Sequence, residues 1–158
     1  GAVPRTKKFS IYIESMNIIR NTDGAYTRWT DIRMLKRMIR DYQFRGYNPE
    51  ETLAHWLYVR KGELKHIIPY IYSTDVVINS GLPYELSALK KALENKFPTK
   101  EFIENLRLTN RLDGYIRGMR IRNLLETVAA IDDLSIIPAT SPLREFIGGS
   151  CYSLAHSS

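Results

Sequence analysis

Residues 32–47 read IRMLKRMIRDYQFRGY, and no other segment constrains the chain as much. Ile32, Leu35, Ile39 and Tyr42 recur at spacings of three and four, the period of one buried helical face. Arg33, Arg37 and Arg40, with Lys36 beside them, project from the other side. The pattern stops at Arg45-Gly46, where glycine can take the left-handed conformation that ends a helix. Thr30 is placed to cap the start, with Asp31 in the first turn facing the positive end of the dipole. Three arginines on one face and a fourth at the turn form a clamp for a polyphosphate. A guanidinium fork matches phosphate oxygens two at a time and keeps its charge at neutral pH.

The rest of the chain alternates strand and helix signals. Residues 9–13 are a short apolar run with aromatic and β-branched members, which predicts a strand. Residues 17–28 are polar and contain Asp23-Gly24, which predicts a loop. Asn48-Pro49-Glu50-Glu51 predicts a helix start, with Asn as cap, Pro at the first position and Glu at the capping-box position. That helix should bury Leu53, Trp56, Leu57 and Leu64 and end by Pro69. Residues 76–78 predict a second strand. Pro83 opens a third helix with Leu86, Leu89 and Leu93 inward, closed by Pro98. Thr99 caps a fourth helix through about residue 112, interrupted by Asp113-Gly114 and Gly118, and residues 120–131 read as a fifth. A loop from Ile136-Ile137-Pro138, a short segment ending at Gly148-Gly149 and a frayed tail over residues 152–158 complete the chain. There is no internal repeat and no low-complexity tract.

The 158 residues suit one domain, with 8–95 as its strand–helix–strand region, 99–150 as a helical extension and 151–158 as a tail. No apolar run approaches the ~20 residues of a membrane span. No signal-peptide pattern occurs, and the single Cys151 excludes an intramolecular disulfide framework, which together favour the cytoplasm. The three histidines, with Cys151, make no metal-spaced set, so no zinc site is expected. Net charge is +6, and residues 28–46 hold six basic against two acidic side chains, a net of +4. A second basic cluster contains Arg107, Arg111, Arg117, Arg120 and Arg122. Such an excess favours polyanionic partners without saying which.

The motif Arg37, Arg40, Asp41, Arg45, Gly46 on a helix that follows a strand resembles the lid of the uridine kinase and phosphoribulokinase group of P-loop kinases. Residues 8–13 resemble the family strand before the lid, 48–53 the start of the next helix, and 74–80 (TDVVINS) the following strand. Residues 141–150 (SPLREFIGGS) resemble the closing segment of long bacterial uridine-kinase-like proteins. As a set these pieces are specific, and each alone is weak. Tyr47 departs from true uridine kinases, which commonly carry a further arginine there, and this leaves the nucleoside open.

The resemblance implies an α/β, mostly helical chain: the C-terminal part of a P-loop kinase fold, with about two parallel strands and about five helices. It implies ATP-dependent, Mg²⁺-assisted phosphorylation of a nucleoside by the complete protein. Arg37, Arg40 and Arg45 would contact phosphates, with Arg40 catalytic, and Asp41, Tyr47 and His55 would lie on the substrate side. No G-x-x-x-x-G-K-[ST] occurs, so the chain should not turn over alone and should hold neither ATP nor Mg²⁺ tightly. Its partners would be a nucleotide or nucleoside and the N-terminal kinase portion, with a homo-oligomer in view and no membrane. Gly1-Ala2 reads as a cloning or cleavage remnant.

Two other classes compete. Basic stripes interleaved with Trp29, Tyr42, Phe44 and Tyr47 fit a nucleic-acid-binding module, although these aromatics are expected mainly in the core or at hinges. An oligomerisation or regulatory domain would pair the arginines with another chain. The bland alternative for the stripe is a solvated helix face. Two parallel strands also leave residues 9–13 with an open apolar edge, which predicts cover from a second copy or from local rearrangement.

Overall fold

The computed structural model describes residues 3–16, 19–20 and 24–152. The expectations for Gly1-Ala2, for Asp23 in its loop, for His156 and for most of the tail lie outside them. Strands β1 (Ile11–Glu14) and β2 (Val76–Asn79) pair in parallel, with Ile11 opposite Val76 and Glu14 opposite Asn79. Helices α1 (Trp29–Phe44) and α2 (Pro49–His66) and a 3-10 turn at Ile68–Ser73 form the crossover between them. Beyond β2 follow α3 (Glu85–Ala92), α4 (Lys100–Leu108), α5 (Leu112–Thr127) and the short α6 (Arg144–Ile147). The fold is α/β and mostly helical, with six helices and one two-stranded parallel sheet among the described residues.

Helix α1 is the central element, packed on α2, α3 and α6. Burial therefore extends around more of it than one stripe. Ile32, Leu35 and Ile39 are buried as expected, and Met34 and Met38 join them. Tyr42 does not: it is 45% exposed, with the Lys96 ammonium over its ring. Tyr47 and Phe44 are also exposed, so the aromatics near the arginines are mostly surface groups. The helix starts earlier than expected. Arg28 is its N-cap without a side-chain cap bond, and Thr30 is buried inside the first turn.

Helix α2 opens on the expected capping box. Asn48 Oδ1 accepts from the Glu51 N–H at 2.7 Å, and the Glu51 carboxylate accepts from the Asn48 N–H at 2.8 Å. Leu53 and Trp56 are buried, whereas Leu57 and Leu64 are 37% and 52% exposed. Glu63, seven residues past Trp56, holds the inward position, and Leu57 and Leu64 stand roughly 100° further round.

The break between α4 and α5 falls at Asn110, whose φ is +60°, not at the glycines. Thr99 caps α4 as expected by accepting from the Phe102 N–H at 3.1 Å. Gly114 and Gly118 lie inside α5 because the helix packs tightly there. A Cβ on Gly118 would stand 3.0 Å from Leu53 Cδ2 and 3.1 Å from Ile103 Cγ1. Leu86, Leu89 and Leu93 are inward as expected.

The C-terminal segment is a clasp. The Arg144 guanidinium donates to the carbonyls of Leu134 at 3.0 Å and of Ile137 and Gly148 at 3.2 Å. Gly148, at φ +84°, ends α6 in a conformation that disfavours a side chain. The sheet is less protected. Tyr12 and Glu14 turn toward the helices, but Ile11 and Ile13 are 50% and 60% exposed, and Val76 and Ile78 beside them are exposed too. No third strand pairs with β1 among the described residues, so none of them supplies the expected cover for that edge. None of the described helices is long and apolar enough to cross a membrane.

Candidate phosphate-binding site

The last turn of α1 and the first turns of α2 meet around one carboxylate. Asp41 is 4% exposed. Arg37 Nε donates to its Oδ2 at 2.9 Å, and Arg45 Nη1 donates to its Oδ1 at 3.2 Å. Arg40 Nε stands 3.5 Å from Oδ1, close enough for an ion pair but without hydrogen-bond geometry, and it is a buried donor with no partner among the described residues. Burial and then the neighbouring Arg45 charge hold the Arg40 guanidinium below its ordinary range. Three guanidiniums thus share the one Asp41 carboxylate.

The turn that carries Arg45 is set by Gly46, at φ +71°. The chain folds back so that the N–H groups of Arg45 and Tyr47 both donate to the Asp41 carbonyl, at 3.1 and 3.2 Å. Arg37, Asp41, Arg45, Tyr47 and His55 all border a cavity of about 410 Å³. Five of the six expected site residues therefore come together. Arg40 does not border that cavity, and its guanidinium acts on it only through Asp41 and through charge. Glu51, Thr52 and Val59 complete the lining and were not anticipated. Their only sequence signal is the spacing of Thr52, His55 and Val59, which share one face of α2.

Most of the other basic residues in the two clusters are paired. Arg33 Nη1 pairs with Glu14 at 2.5 Å and Nη2 with Glu63 at 2.7 Å, and Arg60 also reaches Glu63 at 2.9 Å. Tyr12 donates its hydroxyl to Glu14. Its pKa is pushed up to about 12, first by burial and then by that carboxylate. Lys36 is buried against Glu85, which also accepts from the Ser15 hydroxyl at 2.7 Å. In the second basic cluster Arg117 and Arg120 are held by Asp31 and Asp113, Arg107 by Glu104 and Arg122 by Glu126. The stripe read from α1 is thus split, with its N-terminal half neutralised in the interior and its C-terminal half at a cavity.

Among the described residues no group of three or more His, Cys, Asp or Glu side chains converges. The donor set at the cavity suits phosphate oxygens, and its two carboxylates are already engaged, Asp41 by Arg37 and Arg45 and Glu51 by the Asn48 N–H, so they offer no cluster for Mg²⁺. Comparison with family models, with curated proteins and with solved structures finds no match for this chain.

Proposed function

We propose that the chain supplies the arginine lid of a uridine-kinase-like nucleoside phosphotransferase, gripping the phosphates of a nucleotide between Arg37 and Arg45. One observation carries this reading: Arg37 and Arg45 are both tethered to Asp41 through a single nitrogen at the wall of one cavity. Each guanidinium keeps further N–H groups for a ligand, already oriented by the shared carboxylate. Closing such a lid neutralises charge on the transferring group and excludes water. Arg40 acts as a positioning residue, adding charge behind Asp41. ATP would supply the phosphoryl group. The phosphate loop that transfer needs is not in this sequence, so binding without turnover is expected.

The test is calorimetric titration with UTP and with inorganic tripolyphosphate at low and moderate salt, with single-stranded RNA as competitor. Millimolar binding of both ligands, weakened about tenfold in Arg37→Ala, supports the lid. Absence of binding, or binding indifferent to Arg37→Ala, overturns it. Tight RNA binding without nucleotide discrimination moves the reading to a nucleic-acid module.

A second reading, an assembly domain, draws on the sheet. Parallel sheets are normally covered on both faces, yet Ile11, Ile13, Val76 and Ile78 form a bare apolar face beside an open β1 edge.

A further inference from the structure

His55 borders a second cavity as well, of about 420 Å³, next to the first around α2. Leu57 and Tyr58 of α2 form one wall, and Asn110, Arg111 and Leu112 at the α4–α5 junction form the other. We propose that this second cavity receives the base and ribose of the nucleotide whose phosphates lie at Arg37 and Arg45. The proposal rests on the lid reading and extends it to a helix pair outside the strand–helix–strand region.

The lining has the composition that base recognition needs. Leu57 and Leu112 are exposed apolar walls, and Tyr58 offers an exposed ring against which a base can stack. The polar groups are unspent: the Asn110 amide, the Arg111 guanidinium and the Tyr58 hydroxyl have no hydrogen-bond partner among the described residues. A side-chain amide gives one donor and one acceptor, matching the edge of a nucleobase. Asn110 is also the residue at φ +60°, a conformation glycine would adopt at lower cost. Asparagine at that turn adds an amide the turn does not require.

His55 fits the junction between the two cavities. Its Nδ1 stands 3.0 Å from the Glu51 carbonyl, which can only accept, so Nδ1 carries a proton. In the neutral ring Nε2 is then an acceptor. Because His55 borders both cavities, a ribose hydroxyl lying between phosphate and base would donate to it.

The experiment compares UTP with inorganic tripolyphosphate on the wild-type chain, Asn110→Gly and Tyr58→Ala. Asn110→Gly keeps the backbone turn and removes the amide, and Tyr58 is exposed, so neither substitution threatens the fold. The expected result is tighter binding of UTP than of tripolyphosphate. Each substitution should weaken UTP about five- to tenfold and leave tripolyphosphate unchanged. If both ligands bind equally and neither substitution matters, the base cavity is overturned and the arginine lid stands. If Asn110→Gly weakens both ligands alike, the junction acts on the fold and the proposal also falls. If neither ligand binds the wild-type chain, the lid reading and this proposal fall together.

Discussion

Asp31 and Arg120 form a two-pronged ion pair that ties the first turn of α1 to the middle of α5. Arg120 Nε and Nη2 donate to the two carboxylate oxygens at 2.7 Å each, and the Asp31 side chain is 1% exposed. Hydrogen bonding to that carboxylate raises the Arg120 pKa above its ordinary value. Read from the sequence, Asp31 was a dipole partner for its own helix and Arg120 a member of a polyanion cluster. The pair instead joins residues far apart in the chain, and Arg117 lies 4.0 Å from the same carboxylate. Asp31→Asn should therefore leave a partly buried guanidinium unpaired and cost about 3–5 kcal/mol, read by urea denaturation. A double-mutant cycle with Arg120→Met should recover part of that loss. A cost within experimental error for Asp31→Asn would show that the pair does not hold α5 in place.

Alkaline stability should depend on Tyr12. Its folded pKa, about 12, lies above the ordinary 10.0 because burial and Glu14 disfavour the phenolate. A raised folded pKa contributes stability that is fully present below pH 10 and is lost as pH rises through 12. Thermal melts across that window should show a decline that Tyr12→Phe reduces, and tyrosinate absorbance should reveal one late-titrating tyrosine. A decline of the same size in Tyr12→Phe would assign it to other groups.

Two helical glycines should respond oppositely to alanine. Gly62 in α2 has nothing within 4 Å of an added Cβ, so Gly62→Ala should stabilise by about 0.5–1 kcal/mol through helix propensity. The same gain at Gly118 is opposed by contacts at 3.0–3.2 Å with Leu53 and Ile103, both fully buried and unable to give way. Gly118→Ala should therefore lose about 1 kcal/mol net, since overpacking a core costs about 1–3 kcal/mol. Paired denaturation midpoints check both signs.

The bare sheet should drive self-association. Sedimentation equilibrium should find a dimer, and Ile13→Lys should return it to monomer by placing a charge on the apolar face. A monomer at every concentration would remove the second copy as the cover for β1.

Residues in contact along the chain explain what was legible in advance. The capping box at Asn48–Glu51, the Thr99 cap and the end of α1 at Gly46 all depend on neighbours a few residues apart. The gathering of Arg37, Asp41, Arg45, Tyr47 and His55 was legible for the same reason: one turn joins the two helices that carry them. The fates of Arg33, Lys36, Leu57 and Leu64 were not, because each depends on which elements surround its helix.

The sequence by itself thus determined the order of strands and helices around the crossover, the caps of α2 and α4, and that a cluster of arginines ends α1. Those outcomes follow from local propensity, capping and turn chemistry. Tertiary structure alone decided which cations are spent and which remain. Glu14, Glu63, Glu85, Asp31 and Asp113 arrive from other elements or other turns to neutralise buried charge that could not stand unpaired. It also decided that two glycines which read as helix breaks are the close contacts of α5, because packing distance is set by the partner helices and not by the segment itself.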